Sequence, residues 1–207
     1  MNYVFYDFET SGNNKDFDQI LQIGAVLTNN NFQIKDKINI SCRLKKNIIP
    51  APMALLVNKI QIDQLQSNKV SHYNLVEQLR KKFEEWSPAC FVSFNGISFD
   101  EEILRQGLFQ SFNYPYITTS KDNTRLDVLK LARAVSAFAP NSIVVPLGEK
   151  NQPVFKLEEL TKVNQISHEN AHDAMGDVIA TLELTKKIKR LLEFTIEITN
   201  LVKFTNK

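Results

Sequence analysis

The fold is decided near the N-terminus, in the stretch Tyr3-Val4-Phe5-Tyr6-Asp7-Phe8-Glu9. Aromatic and β-branched residues fill this stretch, which predicts a β-strand. Asp7 and Glu9 are two positions apart, so a strand would point both carboxylates to the same side of the sheet. Two carboxylates beside an apolar core repel each other unless a cation joins them. A solvated strand end is the alternative, although acidic residues are depleted in strands.

Two further strands are predicted directly after the first. Residues 20–28 and 32–44 each have the composition of a strand, and the run Asn29-Asn30-Asn31 between them predicts a turn. Asparagine suits a turn because it tolerates left-handed backbone angles. Three consecutive strands joined by short turns predict an antiparallel meander.

Beyond the meander, the apolar period changes to that of a helix. A buried strand is predicted at residues 91–94, and a long loop at residues 138–153, which hold three prolines and one glycine. Helices are predicted at about residues 99–108, 127–137 and 173–192, after a first helix whose apolar face carries Leu75, Val76, Leu79, Phe83 and Trp86. This order predicts an α/β fold in which helices flank a mixed sheet of three antiparallel strands followed by parallel strands.

Composition places the chain among globular proteins. Its 207 residues are 43% hydrophobic and 23% charged, which predicts one domain and argues against a disordered or fibrous class. A net charge of +2 is too small to prove a nucleic-acid partner. If four carboxylates held two divalent cations, however, the remaining surface would be clearly basic.

The cysteines and the N-terminus predict a cytoplasmic protein. Cys42 and Cys90 lie far apart without a CxxC spacing, which argues against a disulfide framework or a zinc site. The N-terminus lacks the basic and apolar regions of a signal peptide. No apolar stretch approaches the length of a membrane span, so no membrane partner is expected.

Two more acidic residues and one histidine are candidates for the same site. Asp100 follows a predicted strand–turn–helix junction, where an acid also stabilises the helix dipole, so alone it has an ordinary explanation. Asp177 lies in the first turns of the final helix. His172 lies just outside that helix or at its first residue, where it can lie over a site that Asp177 lines. Asp173 is expected to be a helix-start residue rather than a ligand.

Four other residues that could take part in chemistry are predicted to lie outside the site. Glu101 and Glu102 are expected to face solvent at the start of the helix that carries Asp100. His168 and His72 have no evident partner in the sequence, and both are expected at the surface.

The three motifs resemble those of the DEDDh 3′-5′ exonuclease superfamily, which has a ribonuclease H-like fold. They are Phe5-Tyr6-Asp7-Phe8-Glu9-Thr10, Asn95-Gly96-x-x-Phe99-Asp100 and His172-Asp173-Ala174-x-x-Asp177, in that order. Residues 122–127, 155–162 and 170–175 further resemble the nuclease domain of the bacterial exonuclease I family. Members of that family continue into two more domains that clamp single-stranded DNA. We therefore expect residues 1–207 to form a single exonuclease domain without those accessory domains.

The resemblance implies a reaction and a cofactor. It implies removal of nucleoside 5′-monophosphates from the 3′ end of single-stranded DNA, in DNA repair or recombination, by a monomer with two Mg²⁺ ions for which Mn²⁺ can substitute. Asp7 would bridge both ions, Glu9 and Asp177 would complete the ligands of the first, and Asp100 would hold the second through water. His172 would deprotonate the attacking water, which suits a side chain that titrates near neutrality.

The resemblance also implies a set of substrate contacts. Besides Glu9, the positions implied to bind substrate are Arg105, Tyr116, Ser120, Arg133 and Lys156. Lys156 resembles an arginine of the family, and lysine keeps the charge but loses the bidentate fork. For the three cationic side chains, an ordinary solvated charge is the alternative.

Two other functions remain open at this point. Ribonuclease T and oligoribonuclease share the same five site residues, so a 3′-5′ exoribonuclease is chemically possible. The second alternative is a non-catalytic module that binds nucleic-acid ends or partner proteins. The presence of all four acids together with His172 disfavours this module. A protein partner cannot be named from the sequence.

Overall fold

A computed structural model describes residues 1–139, 142–168 and 171–205, with side chains through Arg190. The strands are β1 Asn2–Thr10, β2 Ile20–Thr28, β3 Ile34–Ser41, β4 Ala89–Ser93 and β5 Thr124–Asp127. The helices are α1 Pro52–Asn58, α2 Ile62–Ser67, α3 His72–Trp86, α4 Asp100–Gln110, α5 Val128–Phe138, α6 Leu157–Val163 and α7 Ala174–Thr205.

The five strands form one mixed sheet in the order β3-β2-β1-β4-β5. β2 pairs antiparallel with both β1 and β3, whereas β4 pairs parallel with β1 and with β5. The predicted meander followed by parallel strands is therefore confirmed. Because β1, β4 and β5 run in the same direction, their carboxyl ends lie at one edge of the sheet, where the candidate site residues of β1 lie.

The alternation of β1 assigns its side chains to the two faces of the sheet. Val4, Tyr6 and Phe8 belong to one buried cluster, which also includes residues of α3 and α4. Phe5 belongs to a second cluster, which includes residues of α5, α6 and α7. Asp7 has the parity of Phe5, so the sheet directs its carboxylate toward the side on which α7 packs.

Helix α3 buries the face that the sequence predicts. Its buried residues are His72, Leu75, Val76, Leu79, Phe83 and Trp86. The five apolar members recur at helical spacing, and burying them against the sheet is the main contribution that this helix makes to stability.

The structure differs from the sequence prediction in several elements. The third strand is shorter than predicted, because Phe32 has a φ of 58° and turns its ring into the second cluster instead of extending the strand. Helices α1 and α2 were not predicted, and neither has a long apolar stripe. The predicted loop at residues 138–153 contains residues 140 and 141, which lie outside the described part of the chain. The rest of it carries a bridge between Leu147 and Pro153. None of the described helices has the length and apolar character that crossing a membrane requires.

Candidate active site

Three carboxylates from two elements meet at the carboxyl end of β1. Asp7, Glu9 and Asp177 each offer an oxygen atom within 4.8 Å of those of the other two. The first two come from one strand and the third from the first turn of α7, 168 positions beyond Glu9 in sequence numbering. Oxygen atoms this close together can bind the same divalent cation.

A glycine allows α7 to approach the sheet beside Asp7. Gly24 of β2 is the pairing partner of Asp7. A Cβ atom built on Gly24 would lie 2.5 Å from the backbone carbonyl carbon of Ala174 and the backbone nitrogen of Met175. No real side chain tolerates that approach, so the absence of a side chain at this position lets Asp177 reach the strand.

Asp173 attaches the start of α7 to β2. One of its carboxylate oxygens accepts a hydrogen bond from the side-chain amide of Gln22 at 2.8 Å. The other accepts from the backbone N–H of Gly176 at 3.1 Å, which satisfies one of the free amides of the first turn. Asp173 thus has the helix-start role that the sequence predicts.

Asp100 lies next to β1 at the start of α4. Its Oδ1 accepts a hydrogen bond from the backbone N–H of Phe8 at 3.2 Å, and Phe8 is the residue between Asp7 and Glu9. The side chain is buried. Asp100 therefore belongs to the same acidic region, although it lies outside the tight group formed by the other three carboxylates.

The pKa values of these acids are raised together. Burial, followed by the charges of Asp100, Asp177 and Glu9, raises the pKa of Asp7 well above its ordinary value. Burial and the charge of Asp177 raise the pKa of Glu9 to about 8. Burial raises the pKa of Asp100 to about 7, against two hydrogen bonds from backbone amides that lower it. The region thus brings several carboxylates close together, and their charges raise the pKa values of Asp7 and Glu9.

This donor set fits a hard divalent cation. Mg²⁺ and Mn²⁺ prefer carboxylate oxygens and keep several water ligands, so a few carboxylates suffice to hold them. A bound cation would also reverse the repulsion that raises the pKa values of Asp7 and Glu9. The residues present therefore match the metal requirement that the sequence predicts.

His172 lies at the mouth of the cleft that contains these acids. The cleft has a volume of about 560 Å³ and is lined by residues that include Asp7, Lys156, His168, His172 and Asp177. His172 is exposed and has a φ of 66°. Its backbone N–H lies 3.4 Å from Asp177 Oδ1. An exposed imidazole at this mouth can reach a water molecule in the cleft.

His168 corrects the sequence prediction, because it is not a surface residue without a partner. Its side chain is only 6% exposed, and its Nε2 lies 2.6 Å from Asp177 Oδ1. Sequence reasoning missed it because the contact joins a loop to a helix nine positions later. The available signal was a pair of histidines four positions apart, both upstream of Asp177.

His72 was also predicted at the surface, and it is buried. It begins α3 and belongs to the buried face of that helix. Burial, aided by the charge of Lys45, lowers its pKa to about 4, so the ring is neutral near pH 7. The prediction failed because the first residue of α3 lies on the same helical stripe as Leu75 and Val76.

Glu101 is the third correction. It was predicted to face solvent, but its side chain is fully buried. Its carboxylate lies 3.2 Å from Arg105 Nη2 and 3.4 Å from Arg125 Nη1. It also accepts hydrogen bonds from the hydroxyls of Tyr6 and Thr118. Two cations and two hydroxyls offset the loss of solvation, which a sequence reading cannot foresee because these partners come from distant segments. Glu102, by contrast, keeps 45% of its side chain exposed, in agreement with the prediction that it faces solvent.

The candidate substrate residues occupy two areas. Lys156 lines the cleft, and Arg133 lies over the ring of Phe155, another lining residue, at 5.6 Å. Arg105 lies 5.0 Å from the ring of Tyr116, and both line a separate shallow pocket. Ser120 is half-buried in the turn that follows Tyr116, to whose carbonyl its backbone N–H donates. Arg105 is therefore not a free solvated charge, since it also pairs with Glu101.

Comparison with known proteins identifies the family. Residues 4–185 match the model of the RNase_T exonuclease family. The chain belongs to this exonuclease family. It is 35% identical to exodeoxyribonuclease I of Buchnera aphidicola subsp. Schizaphis graminum over 192 residues, which are 92% of this chain and 40% of that protein.

Solved structures agree with this assignment to the exonuclease family. E. coli exonuclease I in complex with a dT13 oligonucleotide superposes with a TM-score of 0.87 and 31% identity, covering 93% of this chain and 43% of that one. The zinc-bound form of the E. coli exonuclease I complex with single-stranded DNA gives a TM-score of 0.85. The chain thus spans less than half the length of the exodeoxyribonuclease I relatives that it matches. The predicted family and ribonuclease H-like fold are confirmed.

Proposed function

We propose that this chain is a divalent-metal-dependent exonuclease that hydrolyses single-stranded DNA from the 3′ end and releases nucleoside 5′-monophosphates. The observation that carries the proposal is the convergence of Asp7, Glu9 and Asp177 within 4.8 Å. Support for the substrate comes from the relatives, which are named exodeoxyribonuclease I, and from the E. coli enzyme solved with oligonucleotides.

Two Mg²⁺ ions, for which Mn²⁺ can substitute, would be held by the four acids. We assign Asp7 as the ligand shared by both ions, Glu9 and Asp177 as ligands of the first, and Asp100 as the residue that holds the second. When bound, such a pair stabilises the negative charge that develops on the attacking and leaving oxygens of a phosphodiester. Without the ions, the charged groups that shift the pKa values of Asp7 and Glu9 are other carboxylates, and all of them raise those values.

His172 is assigned as the general base. Its exposed ring at the mouth of the cleft can accept the proton of the attacking water, and no other histidine of the described chain combines exposure with a position on this cleft. A positioned base of this kind contributes roughly 10²–10⁴-fold to a rate.

Cations and aromatic rings would hold the strand. Lys156 in the cleft is suited to the phosphate next to the cleaved bond, and Arg133 extends the positive charge beside it. Tyr116 offers a half-exposed ring on which a base can stack, with Arg105 and Ser120 as neighbouring polar contacts. Sequence-independent binding of single strands uses this combination of charge and stacking.

We further propose that residues 1–207 act as a single exonuclease domain, as a monomer in the cytoplasm, in DNA repair or recombination. The described residues build one sheet with a hydrophobic cluster on each face, which supports a single domain. Both cysteines are free and buried, which is compatible with a reducing compartment.

The test is digestion of end-labelled oligonucleotides. We expect a ladder that shortens from the 3′ end of single-stranded DNA with Mg²⁺, no digestion with EDTA, and slow digestion of duplex. A matched RNA oligomer separates this proposal from the exoribonuclease alternative, because the metal site does not discriminate between the sugars. Faster digestion of RNA would overturn the DNA assignment, and binding without cleavage of either would leave only the non-catalytic module.

A further inference from the structure

We propose that His168 is a positioning residue that holds the Asp177 carboxylate in the orientation needed to bind the metal, with Thr161 fixing the imidazole ring. This inference rests on the proposed function, since it concerns one of the assigned metal ligands. His168 was not among the residues that the sequence singled out, and it acts through Asp177 rather than on the substrate.

The imidazole of His168 is held at both nitrogens. Its Nε2 lies 2.6 Å from Asp177 Oδ1, and its Nδ1 lies 3.3 Å from Thr161 Oγ1. Thr161 is fully buried on α6, and its hydroxyl also lies 2.9 Å from the backbone carbonyl oxygens of Leu157 and Glu158. Thr161 and the ring of His168 therefore form a hydrogen-bonded relay that connects α6 to Asp177 in the first turn of α7.

The two carboxylate oxygens of Asp177 have different contacts. The ring of His168 and the backbone N–H of His172 both meet Oδ1. Among the described residues, no hydrogen-bond donor meets Oδ2. A carboxylate can only accept, so the ring presents an N–H to Oδ1 and fixes the plane of the group. Oδ2 is then left available to bind a metal ion together with Asp7 and Glu9.

The same geometry separates the roles of the two histidines. His172 is exposed, and its ring is free to meet a water molecule. The side chain of His168 is only 6% exposed and both of its ring nitrogens have partners, so it has no nitrogen left for the proton of an attacking water. Outer hydrogen-bond partners that orient metal ligands typically contribute roughly 10–100-fold to metal affinity. His168 has the contacts of such a partner.

The test measures metal affinity without turnover. Mn²⁺ is titrated calorimetrically into the metal-free chain of residues 1–207 and into its His168→Leu variant, with no DNA present. We expect His168→Leu to weaken Mn²⁺ binding by roughly 10–100-fold. His168→Gln keeps an N–H donor at about the same reach and should recover most of the affinity. Thermal unfolding of each metal-free variant checks that it folds.

Thr161 supplies a second, independent pair of variants. Thr161→Val keeps the shape but removes the hydroxyl that meets Nδ1, so we expect it to weaken Mn²⁺ binding less than His168→Leu does. Thr161→Ser keeps the hydroxyl and should match the wild type. This pair tests the relay even if replacing His168 itself disturbs the loop.

Several outcomes would overturn the proposal. A folded His168→Leu that binds Mn²⁺ as tightly as the wild type, or more tightly, would show that the ring does not support the ligand or competes with the metal. Equal weakening by His168→Gln and His168→Leu would exclude the N–H donor as the cause. Asp177→Asn keeps the two failures distinct. If the wild type itself binds no Mn²⁺, the proposed metal function is wrong. If Asp177→Asn weakens Mn²⁺ binding but His168→Leu does not, only the proposed role of His168 is wrong.

Discussion

Glu101 and the pair formed by Asp7 and Glu9 lie near the same end of β1, but only Glu101 has protein cations beside its carboxylate. Glu101 is surrounded by the guanidinium groups of Arg105 and Arg125 and by the hydroxyls of Tyr6 and Thr118. Asp7 and Glu9, on the opposite face, have other carboxylates as their charged neighbours.

The comparison separates a structural carboxylate from a ligand. A buried charge that carries its own protein cations is compensated when the chain folds. A buried group of carboxylates without such cations stays unfavourable until a cation arrives from solution. The presence or absence of neighbouring protein cations, rather than the number of acids, therefore indicates which acids bind metal. Glu101 should accordingly affect stability alone, whereas Asp7 and Glu9 should affect metal binding and catalysis.

The largest effect is expected from Asp7. Asp7→Ala removes the shared ligand, so cleavage of single-stranded DNA should fall below detection while the strand still binds. Gel-shift and end-label assays measure the two properties separately. Asp63→Ala, which changes an exposed acid of α2, is the matched control and should cleave at the wild-type rate. Loss of DNA binding together with cleavage in a folded Asp7→Ala would contradict the ligand role.

His172→Ala should give the next largest effect. Removing the general base should lower the cleavage rate by roughly 10²–10⁴-fold at saturating Mg²⁺. Because His172 is not assigned as a ligand, the His172→Ala variant should bind Mn²⁺ with nearly the wild-type affinity, whereas His168→Leu should bind it more weakly. Single-turnover rates and calorimetry measure the two quantities. An unchanged rate would remove His172 from the mechanism.

Gly24→Ala should weaken both the fold and the metal site. The added Cβ would meet the backbone of α7, so we expect the free energy of unfolding to fall by about 1–3 kcal/mol. The displaced helix should also bind Mn²⁺ more weakly. Gly107→Ala in α4 is the control, since its Cβ would come no closer than 3.4 Å to its neighbours. That change should stabilise the protein by about 0.5–1 kcal/mol. An unchanged Mn²⁺ affinity in Gly24→Ala would contradict the role of this close approach in positioning Asp177.

Glu101→Gln should affect stability without affecting the metal. It leaves two guanidinium groups without their shared carboxylate, and we expect a loss of about 1–3 kcal/mol in the free energy of unfolding. Mn²⁺ affinity should match the wild type, because Glu101 is not assigned as a ligand and the side chains of Asp7 and Glu9 lie on the other face of the sheet. Chemical denaturation and calorimetry measure these quantities. A loss of Mn²⁺ affinity comparable to that of Asp177→Asn would mean that Glu101 and the metal-binding acids are not independent.

The last expected effect is the pH dependence of the metal-free protein. A carboxyl group whose pKa is higher in the folded than in the unfolded chain binds more protons when folded, so its contribution to stability is lost as pH rises through the folded pKa. For Glu9 this window runs from its ordinary value of 4.5 to about 8. In EDTA, the unfolding midpoint should fall across this window. Glu9→Gln should flatten the fall, and Mg²⁺ should reverse it. A midpoint that rises with pH over the same range would contradict the raised pKa.

The sequence predicts the parts of the fold that depend on local periodicity. The alternation of residues 3–9 predicts both the strand and the shared direction of Asp7 and Glu9. The stripe from Leu75 to Trp86 predicts the buried face of α3. These predictions succeed because side-chain direction in a strand or helix follows from spacing alone.

The failures share a different physical origin. The side chains of Glu101 and His168 are buried because of partners outside their own elements, namely Arg125 for the first and Asp177 for the second. Spacing within one element carries no information about such partners. The close approach at Gly24 was missed for the same reason, since the backbone of α7 lies 150 positions further along the chain, at Ala174.

Diffraction from crystals grown with Mn²⁺, recorded at a wavelength where manganese scatters anomalously, tests the metal site most directly. Anomalous peaks should appear among the carboxylate oxygens of Asp7, Glu9 and Asp177, and none should appear beside Glu101. A Mn²⁺-saturated crystal with no peak between β1 and α7, or with manganese bound only elsewhere, would contradict the metal-dependent mechanism.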